Sequence, residues 1–317
     1  METVACNLCG SVQQIPVYEI PDAQFHPNEW FTVVECPACG LGFVNPRPTI
    51  SEIEKYYPAS FYSYFETIDH RKRYQAEAAY LGDVRNGATT PRLLDVGCAN
   101  GDFPRFMAAR GWEVEGVEIS PNAAAISDFP VYRVPFDQLS GRESHYDAVT
   151  AWAVLEHVHD PMAYFRKAAE VLRPGGLFVF LVTNFKSLSS KRLFHEDVPR
   201  HLYFFTEETV KSYAESVGLE LQTADYSNHI YSMPPRDFLH YLFTRYVKRR
   251  AFLWADRPES LVNYLSAKGL ARNWLSVARY VLSHPATVLD RLLAPAAERI
   301  QIWLRRSGIV VYVTRRP

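Results

Sequence analysis

Two short cysteine pairs, Cys6-Asn7-Leu8-Cys9-Gly10 and Cys36-Pro37-Ala38-Cys39-Gly40, stand near the start of the chain. In a Cys-x-x-Cys-Gly turn two thiolates converge on one side, and the glycine after them lets the backbone aim its amides at sulfur. Two such turns supply four sulfurs, the full ligand set of one tetrahedral zinc ion. With Cys6, Cys9, Cys36 and Cys39 all engaged the site is closed, so its role is structural rather than catalytic. Two disulfides or four unrelated thiols are the alternatives; pairing this regular, without a secretion signal, favours the metal. A segment of ~45 residues buries too little apolar surface to fold unaided, so the ion is expected to hold it together.

At 317 residues the chain has room for one large domain beside this small one. Its 48% hydrophobic and 22% charged residues are those of an ordinary globular protein. The opening Met-Glu-Thr-Val-Ala-Cys has no basic segment followed by an apolar one, and no run of ~18 apolar residues occurs. A cytoplasmic location is the expectation, in keeping with thiolates held by metal. The net charge of -1 hides an uneven distribution, since thirteen Lys or Arg stand against five Asp or Glu between Arg236 and Arg306.

Behind the cysteines, Pro46 and Pro48 close off the small module, and Thr49 to Tyr57 reads as a short helix capped by Thr49 or Ser51. Tyr56, Tyr57, Phe61, Tyr62, Tyr64 and Phe65 then form either packing between module and core or a lid. From Arg92 strands and helices alternate. Strands are expected at 93–96, 114–118, 131–134, 146–151, 176–183 and 219–224, with helices at 103–110, 122–127, 161–172 and 206–217, and a last strand at 309–313. That alternation implies a doubly wound, mainly parallel α/β sheet with ligands at the carboxyl ends of its strands. The organisation expected is a ribbon at 1–47, a connector or lid at 48–90, a core at 91–228 and 307–317, and a basic helical insertion at 229–306.

Asp95-Val96-Gly97-Cys98-Ala99-Asn100-Gly101-Asp102 follows the first core strand and opens the first helix. Gly97, Ala99 and Gly101 let the backbone approach a ligand closely, and Glu118, ending the next strand, can accept hydrogen bonds from two ribose hydroxyls. Dinucleotides and S-adenosylmethionine share this geometry but differ in charge. Asp95 and Asp102 would repel a pyrophosphate and suit a cationic, amine-bearing ligand, which favours S-adenosylmethionine. Cys98 reads as a small buried residue of the turn rather than a nucleophile.

At these residues the chain resembles the class I S-adenosylmethionine-dependent methyltransferases. Asp95-x-Gly97-x-Ala99-x-Gly101 matches their first motif and Glu118 their ribose-binding acid, with Cys98 and Ile119 beside them. Pro135-Phe136-Asp137 falls where the family lines the adenine. Trp152-Ala153-Val154-Leu155-Glu156-His157-Val158 matches the fourth-strand exit, and Leu172-Arg173-Pro174-Gly175-Gly176 the turn into the fifth strand. The resemblance runs from about residue 90 to 225. The four-cysteine module is similar to the zinc-binding module of bacterial sugar C-methyltransferases and related enzymes of saccharide and antibiotic clusters. In those enzymes a His-Glu-His-x-x-Tyr-Phe-Ser stretch carries the catalytic base; here Pro199-Arg200-His201-Leu202-Tyr203-Phe204-Phe205-Thr206 keeps the histidine and aromatics, but Arg200 stands where they have glutamate.

Methyl transfer asks the protein to position a nucleophile and remove its proton. His201 is the first candidate base, the alternative being a histidine that only bonds to its loop, and His157 competes with it. The resemblance implies a small-molecule, saccharide-type acceptor. The basic insertion, with Phe238, Leu239, Leu242, Tyr246 and Val247 at helical spacing and Leu289, Leu292, Leu293, Ile300, Ile302 and Trp303 more loosely so, suits a roof over the cleft or a homodimer contact, with peripheral membrane contact as the other reading. Near-neutral total charge weighs against nucleic acid.

Overall fold

The computed structural model describes residues 1–58, 71–82, 90–120, 126, 128–187, 197–230 and 274–317, with isolated positions 239, 242, 246, 247 and 249. The expected helix at 122–127 and the expected amphipathic stretch at 238–247 lie largely outside the described residues, as do Phe61, Tyr62, Tyr64 and Phe65.

Three strands open the chain: β1 (Ile15–Asp22), β2 (His26–Glu35) and β3 (Gly42–Val44). Helix α1 (Arg71–Ala79) leads into β4 (Arg92–Val96), α2 (Asp102–Ala108), β5 (Glu113–Val117) and β6 (Val131–Tyr132). Then come β7 (Tyr146–Trp152), α3 (Pro161–Val171), β8 (Leu172–Thr183), β9 (Tyr203–Phe204), α4 (Glu207–Ser216) and β10 (Glu220–Asp225). Helices α5 (Trp274–Ser283) and α6 (Pro285–Trp303) precede the last strand, β11 (Ile309–Arg315).

All seven residues of β7 are buried. A strand covered on both faces must be apolar throughout, which is why this run shows no alternation. It lies mid-sheet in the order β10-β11-β8-β7-β4-β5-β6. Strands β4 to β8 pair in parallel, while β11 runs antiparallel to both β8 and β10. On one face α3 and α4 lay Phe165 and Tyr213 against each other, centroids 5.0 Å apart and 14° from coplanar, a contact worth ~0.5–1.5 kcal/mol beyond its buried area. Helix α4 starts at the expected cap, where Thr206 Oγ1 accepts from the Thr209 amide and Thr209 Oγ1 accepts from the Thr206 amide.

The expected helix at Thr49 to Tyr57 is only a 3-10 turn, Ile53–Tyr56. Neither Thr49 nor Ser51 caps it; the Glu52 carboxylate turns back to accept from the Thr49 amide and hydroxyl, at 3.0 and 2.9 Å. So few residues gain too few hydrogen bonds to sustain an α-helix.

The small N-terminal sheet departs most from expectation. Its order is β1-β2-β3-β9, and its fourth strand comes from the core segment that carries His201. Gly42 pairs with Phe204 and Phe43 with Tyr203, and the Val44 amide donates to the Leu202 carbonyl at 2.9 Å. A Cβ on Gly42 would lie 2.6 Å from the Phe185 ring, so glycine lets β3 close against the core. The boundary expected at residue 47 therefore does not separate two independent sheets. In α5 and α6, Leu282, Leu292 and Trp303 face outward, at 82%, 72% and 80% exposure. No helix among the described residues is long and apolar enough to cross a membrane.

Candidate functional site

Strand order reverses between β4 and β7, the place where an open α/β sheet leaves a crevice for a ligand. The turn leaving β4 takes left-handed conformations at Gly97, Ala99 and Gly101, where an L side chain is disfavoured by roughly 1–2 kcal/mol. A Cβ on Gly97 would come 2.7 Å from Val154 Cγ2, in the turn leaving β7, and one on Gly101 would come 2.8 Å from the Phe129 ring. Glycine at these two positions thus lets the Val154 and Phe129 side chains close against the turn. Ala153, at the exit of β7, also has positive φ.

Glu118 stands just past β5. Its Oε2 accepts from the Ala99 amide at 2.9 Å and its Oε1 from the Ser120 amide at 2.7 Å. The carboxylate is fixed toward the turn, and a carboxylate has lone pairs to spare for further donors. Asp95 is buried and accepts from Thr150 Oγ1 at 2.6 Å. Burial pushes its carboxyl up to about 8, with the nearby carboxylate of Glu77 adding to the rise. Glu77, on α1, is itself fully buried; Arg73 binds its Oε1 at 2.6 Å while its Oε2 has no hydrogen-bond partner. A dry corner holding two acids is chemistry for a cation, in line with an ammonium-bearing ligand. Asp102 takes no part: it is exposed and leans on Arg105 at 3.5 Å.

Two expected ligand contacts, Phe136 and Trp152, are placed differently, while Cys98 is the small buried residue its turn suggested. The Cys98 sulfur turns inward, so close that a Cβ on Gly116 would lie 2.6 Å from it, and burial pushes the thiol up to about 12. Only its backbone is left for a ligand. Phe136 has no exposed surface and sets its ring edge-on to Tyr164, centroids 5.5 Å apart, so the Pro135-Phe136 segment can offer Pro135 and backbone but not that ring. Trp152 packs edge-on against Phe103 at 5.6 Å, with Nε1 buried and without a hydrogen-bond partner. Ile119, 61% exposed, lies at the rim.

His157 and His201 meet although 44 residues separate them in sequence; their rings are 4.7 Å apart and nearly perpendicular. The Glu156 carbonyl accepts from the Leu202 and Tyr203 amides at 2.7 and 3.2 Å, which ties the two segments together. His157 Nδ1 lies 3.1 Å from the Arg200 carbonyl and 3.0 Å from the Tyr57 hydroxyl. A carbonyl only accepts, so these partners assign the proton to Nδ1 and the lone pair to Nε2. Burial, reinforced by His157, drives His201 down to about 3, which leaves it neutral at physiological pH. His195 and Glu196 lie outside the described residues.

Arg200 has no exposed surface. Its guanidinium contacts Asp22 Oδ1 at 3.1 Å and donates to the Tyr56 carbonyl at 3.1 Å, besides bonding to Asp197. Burial pushes the carboxyls of Asp22 and Asp197 upward, yet Arg200 more than offsets it and both end below their ordinary values. Sequence reasoning missed Asp22 and Glu77, and placed Tyr57 in a packing or lid cluster without its contact to His157. Nothing in their local patterns separates them from surface polar residues, and only the folded chain brings them inside.

The two cysteine turns are built alike. Each first cysteine's carbonyl accepts from its glycine amide at 2.8 Å, Gly10 to Cys6 and Gly40 to Cys36, and both glycines have positive φ. Cys6 and Cys39 sulfurs lie 3.4 Å apart and those of Cys9 and Cys36 3.6 Å, with all four within 4.8 Å of one another. Four sulfurs bonded at ~2.3 Å to a tetrahedral ion stand about 3.8 Å apart, so the set fits a single metal. Burial pushes the Cys6 thiol up to about 11 and raises Cys39 further; Cys36, though also opposed by burial, is brought down to about 7 by the Cys39 and Ala38 amides. Held this close, four thiolates would repel one another unless a cation lay among them.

A family model for the methyltransferase domain matches residues 65–224. A ubiquinone biosynthesis O-methyltransferase of Azoarcus sp. (strain BH72) is 31% identical over 160 residues, covering 44% of this chain and 68% of that protein. One from Xanthomonas campestris pv. campestris (strain B100) is 35% identical over 103 residues, covering 29% of this chain and 42% of that protein. Apart from the Azoarcus protein, the chain spans half or less of the curated relatives it matches. Among solved structures, a SAM dependent methyltransferase from Archaeoglobus fulgidus aligns with a TM-score of 0.50 at 15% identity, over 80% of this chain and 99% of that one. At that identity the likeness speaks for the fold. The glycine turn, the ribose-side acid, the seven-stranded order and the match over half the chain's length agree: this chain belongs to the methyltransferase-domain family, as a class I S-adenosylmethionine-dependent methyltransferase.

Proposed function

We propose that the chain methylates a small-molecule acceptor, most readily a nucleotide-linked or other saccharide-type intermediate, at the corner where His157 and His201 meet. The observation that carries this reading is the convergence of two turns, the one after β4 with Glu118 behind it and the one after β7 that leads to His157. Gly97, Ala99, Gly101, Glu118 and Asp95 would hold the cofactor, with Glu77 supporting Asp95 and with Ile119, Pro135 and Ala153 at its edges. S-adenosylmethionine supplies, when bound, a sulfonium methyl for in-line displacement. The chain's own residues orient that methyl and bring the acceptor's oxygen against the histidine pair. Support for the saccharide class comes from the four-cysteine module and the Arg200-to-Thr206 segment, which belong to one small sheet.

Oxygen is the favoured atom, because the curated relatives are O-methyltransferases by name and align across the cofactor-binding half. A lipid-linked saccharide is the second reading, favoured by the apolar side chains that α5 and α6 leave outward. The four cysteines we read as holding one structural zinc.

Three outcomes follow. Glu118→Ala should weaken calorimetric binding of S-adenosylhomocysteine more than tenfold, since ~1.4 kcal/mol is lost per decade; unchanged affinity would remove Glu118 from the site. With labelled methyl donor and a screen of saccharide intermediates, His201→Ala should lower product formation ~100-fold at nearly intact cofactor affinity; normal turnover would take His201 out of the chemistry. Elemental analysis should find zinc bound, and Cys36→Ser should release it and destabilise the ribbon sheet; zinc retained at wild-type levels by that variant would contradict the ligand set.

A further outcome concerns Asp95. With its carboxyl at about 8 the free protein holds that proton at pH 6.5, whereas an ammonium ligand favours the carboxylate. Calorimetry at pH 6.5 in buffers of different ionisation enthalpy should show close to one proton released on binding S-adenosylmethionine, and much less at pH 9. Heat independent of buffer at pH 6.5 would show that Asp95 does not meet the cation.

A further inference from the structure

Glu156, His157 and His201 gather more donor atoms than one proton transfer needs. One ligand atom from each lies within 4.8 Å of the other two, a feature shared, among the described residues, only with the four cysteines. Resting on the methyltransferase reading above, we propose that these three side chains hold a first-row divalent cation, separate from the ribbon's ion, to which the acceptor's oxygen binds.

Four observations carry it. The donor set is two imidazoles and a carboxylate, which suits Mn, Fe, Co or Zn and fills only three positions of a coordination sphere. The His157 ring is oriented as metal-bound imidazoles are, with Nδ1 on a backbone carbonyl and the Nε2 lone pair left for a ligand. His201, 9% exposed, has a buried Nδ1 with no hydrogen-bond partner among the described residues, a nitrogen that a bound ion would satisfy. The surrounding charge also suits a cation: Asp197 and Asp22 stand below the ordinary carboxylate range, and the Arg200 guanidinium is engaged by both of them. Ligand atoms on one ion stand ~3 Å apart, a closure within reach of small side-chain rotations because the hydrogen bonds from the Leu202 and Tyr203 amides to the Glu156 carbonyl already fix the two segments.

The cation settles how an acceptor hydroxyl ionises beside a histidine that stays neutral. On coordination the O–H bond breaks and its proton passes to solvent water, as metals lower the pKa of bound oxygen. The coordinated oxygen then forms its bond to the methyl carbon while the carbon–sulfur bond breaks. That electron pair stays on sulfur, giving a methyl ether and an uncharged thioether. Nothing is oxidised or reduced and the ion is unchanged. Open positions beside the first would accept a second oxygen, so the acceptor class is a hydroxyl adjacent to another oxygen, as in a vicinal diol or a hydroxyketone.

The test is metal binding rather than turnover. Zinc-loaded protein is dialysed against Mn²⁺ or Co²⁺, washed, and its metals and its S-adenosylhomocysteine binding are measured. Wild type should retain one Mn²⁺ or Co²⁺ per chain beyond the ribbon zinc, and Glu156→Gln and His157→Ala should each weaken that ion tenfold or more with ribbon zinc unchanged. Should the variants misfold, Co²⁺ in ring-labelled wild type should shift or broaden the His157 and His201 signals while leaving those of His284 untouched. A wild type that takes up no second ion, or takes it up without perturbing those two rings, overturns the proposal. S-adenosylhomocysteine bound without a second ion leaves the methyltransferase reading standing and sinks only this one; a second ion without S-adenosylhomocysteine binding sinks the reading beneath it.

Discussion

The guanidinium of Arg200 is the joint on which the site depends. Taking a charged side chain fully out of water costs several kcal/mol, and the position is tenable only if fixed anions and carbonyls answer it. Here the answers come from separate parts of the chain: Asp22 at the end of β1, the Tyr56 carbonyl in the connector, and Asp197 in the loop that leads to β9. The same residue's carbonyl lies against His157 Nδ1. One side chain thus fixes the N-terminal sheet to the core, and its own backbone orients an imidazole of the reacting corner. The glutamate that a sugar C-methyltransferase would be expected to carry at this position does not suit the surroundings of Arg200. A glutamate there would face two carboxylates instead of neutralising them.

Much of the cofactor half was legible because its signals are local. Strand, glycine turn, helix and strand-terminal acid follow one another within 25 residues, and Gly97, Gly101 and Glu118 stand where their spacing requires. The cysteine turns were legible for the same reason. What stayed hidden depended on contacts distant in sequence. Glu77 lies in a charge-rich helix of the connector, yet it ends up beside Asp95 without exposure. Phe136 was placed at the adenine by family resemblance, but core packing against Tyr164 claims the ring. The pairing of β3 with β9 could not be read from two or three residues of strand, since register is set by the partner rather than by the pattern.

These placements divide the work between two ends of one crevice. Asp95, Glu118 and the backbone at Gly97 to Gly101 define a polar, acid-lined cradle, suited to a ligand that carries positive charge and a ribose. Across it, Glu156, His157 and His201 form the cluster we propose as the acceptor corner, and the segment bearing His201 runs on into a strand of the cysteine-rich sheet. A metal held by the four cysteines would therefore bear on that cluster through β3, with which β9 pairs.

The central claim is that the cysteine-rich sheet and the methyltransferase core form one unit through Asp22 and Arg200, and a double-mutant cycle on unfolding free energy tests it most directly. Asp22→Asn, Arg200→Gln and the double variant would be unfolded in urea with the ribbon metal present. Each single change should destabilise the protein strongly, by ~3–5 kcal/mol where it strands a buried charge, and the pair should show a coupling above ~1.5 kcal/mol. Additivity within about 0.5 kcal/mol would mean the two residues act independently and the sheet is merely attached to the core.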